Sequence, residues 1–263
     1  MIPEDFISEW KNFAPWRETY QVEQDLIICR ALVEIFSHSF LAENLAFRGG
    51  TALFKLHLAP ARYSEDIDLV QVHAGPIGPV MRAIQEKLNS WLGTPKRSRS
   101  EGRVTLIYRI ISEEEVPLKL KVEINTREHF TVEGYQNQPF AVQSRWFKGN
   151  CEITTYTLEE LLATKLRALY QRRKGRDLFD LWLGITEGKA DAGRIIHIFK
   201  HYMENEGQTV DNMNYEKNLQ EKMIHRGFLT DLNPLLPADA EYDVQEAYDF
   251  IRSKIIDPLD RRL

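Results

Sequence analysis

The chain has 263 residues, of which 43% are hydrophobic and 28% charged, and its formal net charge is -5. This composition is ordinary for a globular protein of one large or two modest domains. The acidic balance argues against an indiscriminate nucleic-acid binder, although it is compatible with a local basic surface. Cys29 and Cys151 are too few for a disulfide scaffold, which favours a reducing compartment.

The N-terminal residues do not resemble a targeting segment. Residues 1–13 carry acidic side chains where a signal peptide needs basic ones, and no apolar stretch reaches the length of a membrane span. We therefore expect a soluble, cytoplasmic protein that has no membrane partner.

In the first half of the chain, apolar spacing and turn residues predict alternating helices and strands. The predicted order is a helix over Tyr20–Phe40, a short strand over Leu45–Phe47, a turn at Gly49–Gly50, a helix over Thr51–Leu58 with Thr51 as its N-cap, a strand over Arg62–Val72 and a helix over Val80–Leu92. Residues 93–103 read as a basic, turn-rich stretch.

Two further strands are predicted over Val104–Ile111 and Pro117–Asn125, the second from strict alternation of apolar and polar residues. Residues 133–150 lack a clear period and predict loops with one short strand. A capping-box pattern at Thr157 and Glu160 predicts a helix start. Further helices are predicted from Arg176, over Ile195–Met203, Tyr215–Ile224 and Tyr242–Ile256. The pattern indicates an α+β region over residues 1–150 and a mainly helical region over residues 151–263.

Asp66 and Asp68 form the clearest candidate site. In a strand, residues two apart point to the same side, about 6 to 7 Å apart. Glu123 could join them from a neighbouring strand, and three carboxylates of this kind can hold Mg²⁺ or Mn²⁺ against a triphosphate. The alternative is that both aspartates line a solvated strand face, with Glu123 as a structural partner of Lys119 or Lys121.

The turn upstream is a candidate phosphate site. Arg48, Gly49, Gly50 and Thr51 offer backbone donors and a hydroxyl at the start of a helix, where anions bind. A plain tight turn is the alternative reading. Ser64 lies close enough in sequence to be modified by a bound triphosphate, although an inert hydroxyl is the default.

Lys165 falls near the centre of an apolar helical stripe, where a leucine is usual. A buried ammonium needs an anionic partner, such as a phosphate or a carboxylate. The alternative is a lysine that extends its ammonium from the edge of the stripe. Two basic groups, Arg172–Lys174 and Lys96–Arg103, could follow an RNA backbone or simply be solvated.

Taken together, these segments resemble the AbiEii/AbiGii-type nucleotidyltransferase toxins of the polymerase-β-like superfamily. The resemblance is carried by FRGGTALFKLHL at 47–58, RYSEDIDLV at 62–70, KVEI at 121–124 and ATKLRALYQRRKGRDLFDLW at 163–182; FLTDLNPLL at 228–236 adds to it. The superfamily usually has Gly-Ser at the turn, whereas this chain has Gly49-Gly50-Thr51, so the hydroxyl is displaced by one residue.

The resemblance implies a polymerase-β-like core and a set of residue roles. Asp66 and Asp68 would ligate the catalytic metals, Glu123 would activate the acceptor hydroxyl and Lys165 would contact the nucleotide phosphates. Arg176, Asp177 and Asp180 belong to the same motif, and either aspartate could hold Lys165 or Arg48 in place. Ordinary helix N-terminal charge is the alternative for the aspartates.

The resemblance also implies an activity. The protein would transfer a nucleoside monophosphate from an NTP to an acceptor hydroxyl, with the 3′ end of tRNA as the favoured acceptor. It would arrest growth within a toxin–antitoxin or phage-defence system, with a helix-turn-helix antitoxin as partner. Alternatives are a protein or small-molecule acceptor, kinase-like or self-modification at Ser64, and a binding module with a degenerate site.

Overall fold

The computed structural model describes residues 2–260 and divides them into two compact units, which meet in sequence between Tyr156 and Thr157. The predicted boundary at residue 150 falls inside a strand, Lys148–Thr155, whose pairing keeps it in the first unit. The outer ends of the two predicted domains, residue 1 and residues 261–263, lie outside the described residues.

The described part of the first unit contains a seven-stranded mixed sheet in the order β3-β4-β5-β2-β1-β7-β6. The strands are β1 Leu45–Arg48, β2 Asp66–Gln71, β3 Lys96–Ser100, β4 Arg103–Ile111, β5 Pro117–Asn125, β6 Gln136–Gln143 and β7 Lys148–Thr155. At the centre, β2 is antiparallel to β1 and parallel to β5. The sheet therefore places β1 and β5 on opposite sides of β2.

The helices of the first unit are α1 Glu4–Trp10, α2 Thr19–Phe36, α3 Ser39–Asn44, α4 Gly49–Ala52 and α5 Ile77–Leu92, with a π-helical turn over Leu53–His57 directly after α4. Apolar residues of α2 such as Leu26, Ile28 and Leu32 are fully buried. The single helix predicted over Tyr20–Phe40 is divided in two, because His38 adopts an extended backbone between α2 and α3.

Two predictions for the first unit were wrong in detail. Residues 133–150 contribute two strands, β6 and β7, in place of loops and one short strand. Residues 96–100 form the edge strand β3 and not a turn. All side chains of β3 and half of those of β6 are exposed, and neither strand has the apolar alternation by which strands are predicted from sequence.

The second unit is helical, as predicted. Its helices are α6 Leu158–Gln171, α7 Gly175–Thr186, α8 Ala192–Asn205, α9 Asn212–Met223, α10 Arg226–Leu229 and α11 Val244–Ile251, followed by a π-helical turn over Arg252–Ile256. Thr157 caps α6, because its hydroxyl accepts a hydrogen bond from the backbone N–H of Glu160 at 3.2 Å. The Glu160 carboxylate also accepts from the Tyr202 hydroxyl at 2.9 Å.

Within residues 2–260, no helix has the length and apolar character needed to cross a membrane. Both cysteines are free thiols: Cys29 is buried in α2, and Cys151 is half-buried in β7.

Candidate active site

The two aspartates of β2 lie on one face of the strand. Asp66 and Asp68 are half-buried, whereas Ile67 and Leu69 between and after them are buried on the other face. The alternation is that of a strand with an apolar face and an acidic face. The geometry predicted for this pair of carboxylates is therefore present.

Glu123 is brought to the same face by strand pairing. It lies directly opposite Asp68 across the parallel strands β2 and β5, which are about 4.8 Å apart. Its Oε2 lies 2.9 Å from Nη1 of Arg103 on β4. Glu123 thus forms an ion pair with Arg103, a cation that the sequence did not single out beside Lys119 and Lys121.

The surroundings of Asp66 raise the pKa of its carboxyl group. Burial raises its pKa to about 6; Lys121 opposes this rise, and the charges of Asp68 and Glu65 add to it. The Lys121 ammonium lies 3.3 Å from Oδ1 as an ion pair. That Oδ1 is nevertheless buried without a well-oriented hydrogen-bond donor among the described residues. A nearby cation favours the charged form of a carboxylate, so a buried carboxylate oxygen that lacks a well-oriented hydrogen-bond donor is suited to bind a cation.

The Gly49–Gly50 turn, which opens α4 directly after β1, is packed against Asp68. Gly49 has φ +82°, and a Cβ atom at this position would lie 2.3 Å from Oδ2 of Asp68. A Cβ on Gly50 would lie 2.2 Å from Nη2 of Arg62, a buried side chain that also donates to the carbonyl of Tyr63 at 3.1 Å. The double glycine therefore lets the turn approach both side chains closely.

Thr51 and Ser64 connect the turn to β2. Oγ1 of Thr51 lies 2.5 Å from the backbone carbonyl oxygen of Asp66 and 2.8 Å from Oγ of Ser64. Thr51 is buried, and the residue at the N-cap of α4 is Arg48. The predicted N-cap role of Thr51 was wrong, because its hydroxyl holds the backbone at Asp66 instead.

Arg48 ends β1 directly opposite Asp68. Its guanidinium forms an ion pair with Glu128, in the segment that follows β5. Arg48 thus pairs with Glu128, a residue that sequence spacing gave no reason to select, because the two are distant in the chain.

The oxygen donors on this face suit a hard divalent cation. Mg²⁺ is commonly held by one or two carboxylates and completed by substrate phosphates and water. Asp66 and Asp68 provide such a pair, and the buried Oδ1 of Asp66 has the Lys121 ammonium beside it but no well-oriented hydrogen-bond donor among the described residues. Across residues 2–260, no group of three or more His, Cys, Asp or Glu side chains is arranged to hold a metal on its own. Glu123 is therefore not placed as a third ligand.

The second unit contains a buried ion cluster around Lys165. Its ammonium lies 2.8 Å from Oδ2 of Asp180 and 3.3 Å from Oδ1 of Asp177, and both aspartates are fully buried. Arg172 binds Asp177 through two hydrogen bonds of 2.7 and 2.8 Å. Burial alone would raise the pKa of Asp177, but Lys165 and Arg172 outweigh it and keep that pKa below its usual value.

Asp231, which follows α10, stabilises the start of α7. Its Oδ2 accepts from the backbone N–H of Arg176 at 3.2 Å, and its carboxylate lies 3.3 Å from the Lys174 ammonium and 3.5 Å from Nε of Arg176. A Cβ on Gly175 would lie 2.2 Å from the carbonyl oxygen of Phe228. The 228–236 segment is thus packed onto the beginning of α7, a contact that sequence reasoning did not anticipate.

Comparison with known proteins supports a single family. The model of the nucleotidyl transferase AbiEii toxin of type IV toxin–antitoxin systems matches residues 30–250. Comparison with curated protein sequences gives no match.

Two solved structures share the fold at low identity. The MenT4 nucleotidyltransferase toxin of Mycobacterium tuberculosis H37Rv is 16% identical, with a TM-score of 0.59 over 98% of each chain. JHP933 from Helicobacter pylori is 17% identical, with a TM-score of 0.55 over 94% of this chain and 95% of its own. At these identities the likeness concerns the fold, and it confirms the predicted combination of a mixed sheet with helices.

The family match spans most of the chain, including both the β2 carboxylates and the Lys165 cluster, and confirms the resemblance drawn from the sequence motifs. The chain therefore belongs to the AbiEii nucleotidyl transferase toxin family and is a nucleotidyltransferase.

Proposed function

We propose that the protein transfers a nucleoside monophosphate from an NTP to a hydroxyl of RNA, with tRNA as the acceptor, and that Asp66 and Asp68 hold the Mg²⁺ or Mn²⁺ that the reaction requires. The observation that carries the proposal is the placement of both carboxylates on one face of β2, beside the Gly49–Gly50 turn and in register with Glu123.

In this reaction the acceptor hydroxyl oxygen forms a bond to the α-phosphorus, the bond to the β-phosphate bridging oxygen breaks, and pyrophosphate leaves. The protein mainly positions the reactants and stabilises charge. A bound divalent cation supplies neutralisation of the phosphate charge. Glu123 accepts the hydroxyl proton in our proposal, with Arg103 beside it, and the backbone N–H groups of the Gly49–Gly50 turn receive the triphosphate.

The role of Lys165 toward the nucleotide phosphates stays a prediction of the family resemblance. Its ammonium contacts Asp177 and Asp180, so within the second unit it balances two buried charges. Arg176, Asp177 and Asp180 are accordingly proposed as residues that position Lys165 and the start of α7.

The direct test incubates the protein with each labelled NTP in turn, Mg²⁺ and total RNA. We expect label in RNA with one or a few NTPs, and none after EDTA or with Asp66→Ala or Asp68→Ala. Equal labelling by wild type and Asp66→Ala would refute the proposed site. The labelled species identifies the acceptor and the preferred base.

The same reaction distinguishes the alternative acceptors. Transfer onto Ser64 or onto another protein would appear as a mass increase of the polypeptide, with RNA unlabelled. NTP affinity by calorimetry without any labelled product would indicate a binding module with a degenerate site.

Membership of a toxin–antitoxin family implies a cognate antitoxin. We propose growth arrest through blocked translation, in the cytoplasm, as part of phage defence, and an antitoxin of the helix-turn-helix class. Induced expression should stop growth, Asp66→Ala should not, and co-expression of the neighbouring helix-turn-helix gene product should restore growth.

A further inference from the structure

The three strands β3, β4 and β5 have one face that packs against helices and one that is open. Val104, Leu106, Tyr108 and Val122 are buried on the first face, and the Tyr108 hydroxyl lies 3.2 Å from the Asn89 side chain of α5. The opposite residues are exposed or half-buried. The charged side chains of this open face are Lys96, Arg103, Arg109, Lys119, Lys121 and Glu123. It is therefore predominantly basic, in a chain whose net charge is -5.

Arg109 and Lys119 are two adjacent cations of this surface, near the hairpin end of β4 and β5. They lie directly opposite each other on the antiparallel strands β4 and β5, and both are exposed. Neither side chain has an ion-pair or hydrogen-bond partner within the part of the chain that the structure describes. Like charges in directly opposite positions are destabilising. An anion bound to both side chains would offset the repulsion between Arg109 and Lys119.

The same face carries the candidate catalytic carboxylates. Lys121 lies opposite Asp66, and Lys119 is two residues earlier in β5, about 7 Å along the strand. Lys96 lies opposite Ile107 on β4, and Ile107 lies opposite Lys121 on β5. A row of facing residues therefore runs across the sheet from Lys96 on β3 to Asp66 on β2, a distance of about 14 Å. The open basic face is thus continuous with the site.

Its position separates this surface from the proposed triphosphate site. The Gly49–Gly50 turn lies on the β1 side of β2, whereas Lys119 and Arg109 lie on the other side, on β5 and on β4 beyond it. The acidic turn Glu113–Glu115 bounds the surface at the far end of the β4–β5 hairpin. An extended polyanion that ends at the carboxylates fits this arrangement.

We propose that the open face of β3–β5, including Arg109 and Lys119, binds the phosphodiester backbone of the RNA whose terminal hydroxyl is the acceptor. This rests on the proposed function. It also divides the basic stretch predicted from sequence: strand alternation places Lys96 and Arg103 on this face, whereas Arg97 and Arg99 lie on the helix-packed side, where Arg97 donates to Gln85.

A charge-matched pair of variants tests the proposal. Arg109→Gln/Lys119→Gln removes two cations from the open face, and Arg97→Gln/Arg99→Gln removes two from the other face of the neighbouring strand. The probe is a tRNA pool, and its affinity is measured against salt concentration. Each lost phosphate contact lowers the slope of log K against log salt by about 0.7–0.9, so two contacts correspond to roughly 30-fold weaker binding near 0.1 M salt.

We expect this loss for Arg109→Gln/Lys119→Gln, with a raised KM for RNA and not for NTP, and near wild-type affinity for Arg97→Gln/Arg99→Gln. The open-face variant should melt at the same or a higher temperature, because a like-charge pair has been removed. A purely structural role would lower the melting temperature instead.

Unchanged tRNA affinity in the open-face variant, or an equal loss in both variants, would overturn the proposal, as would tighter binding of single-stranded DNA of equal length. These binding results do not depend on turnover. If the wild type labels no RNA, the proposed function fails, and the affinity comparison still decides whether the face binds RNA.

Discussion

Asp68 and Glu123 face each other across the parallel strands β2 and β5, although 54 residues separate them in the chain. The same register places Arg48 opposite Asp68 on β1 and Thr105 opposite Glu123 on β4. A row of polar side chains therefore crosses four strands, with both carboxylates at its centre. Together with Asp66, two residues earlier in β2, this row forms the strand face of the candidate site.

Asp66→Asn is expected to separate stability from activity. Burial holds the pKa of Asp66 at about 6, which means that the folded protein disfavours its charged form. In EDTA near pH 8, we expect the neutral isostere to raise the free energy of unfolding by about 1 kcal/mol, after allowance for solvent screening. Metal-dependent labelling should be lost. A variant that is both less stable and fully active would contradict the assignment of Asp66.

Gly49→Ala tests the close approach of the turn to Asp68. The new Cβ would lie 2.3 Å from Oδ2 of Asp68, at a backbone φ of +82°. Gly134→Ala is the matched control, because Gly134 has φ +86° with nothing within 4 Å of its Cβ position. The control should lower the free energy of unfolding by about 1 kcal/mol, from backbone strain alone. Gly49→Ala should lower it by at least about 1 kcal/mol more and abolish labelling. Equal melting temperatures for the two would show that the contact is unimportant.

The sequence was sufficient for the acidic face of the carboxylate strand, although β2 begins at Asp66 and not at Arg62 as predicted. Alternation of apolar and polar residues fixed the face of Asp66 and Asp68, and the capping residue Thr157 fixed the start of α6. These signals are local, so a single segment contains them. The edge strand β3 gave no such signal, because all of its side chains are exposed and polar.

Partners distant in sequence could not be predicted by spacing. Arg103 beside Glu123, Glu128 beside Arg48 and Asp231 at the start of α7 depend on strand register and helix packing. Register is a property of the assembled sheet. The sequence located the charged residues and left their pairing to the structure.

Lys165→Met tests the buried ion cluster of the second unit. Removing the ammonium leaves Asp177 and Asp180, both fully buried, without their shared cation. Loss of one partner from a buried pair costs about 3–5 kcal/mol. Arg172→Gln is the control, because its half-exposed side chain contributes less. In urea unfolding, Lys165→Met should show a large loss of the free energy of unfolding and Arg172→Gln a small one. The double variant Lys165→Met/Asp180→Asn should recover part of the loss. Failure of the double variant to recover any stability would argue against charge imbalance as the cause.

Asp231→Ala tests the cap on α7. Asp231 accepts from the backbone N–H of Arg176, and the residue at the N-cap position, Lys174, has no side-chain capping bond. Loss of a capping carboxylate costs about 1 kcal/mol. Asp239→Ala, at an exposed aspartate in a turn, should leave the urea midpoint unchanged. If both variants unfold at the same urea concentration, Asp231 does not stabilise the helix.

Lys222 provides a pH-dependent prediction in the second unit. Its buried ammonium donates to the backbone carbonyl oxygens of Leu169 and Tyr170, the latter at 2.8 Å. Burial, together with the charge of Arg173, lowers its pKa to about 8, whereas an unfolded lysine titrates near 10.4. Between these values the unfolded chain binds a proton that the folded chain has released, so Lys222 contributes a stability that rises with pH.

Lys222→Met removes this contribution, so the difference between the two proteins isolates it. From about pH 7.5 to about pH 10, we expect the free energy of unfolding of the wild type to increase by about 1–2 kcal/mol relative to that of Lys222→Met. The two carbonyl hydrogen bonds favour the ammonium and keep the expected gain below that of an isolated buried lysine. Urea titrations at several pH values measure it. A difference that stays constant or falls over this interval would show that Lys222 keeps its proton when folded, with its pKa held up by the carbonyl groups at the end of α6.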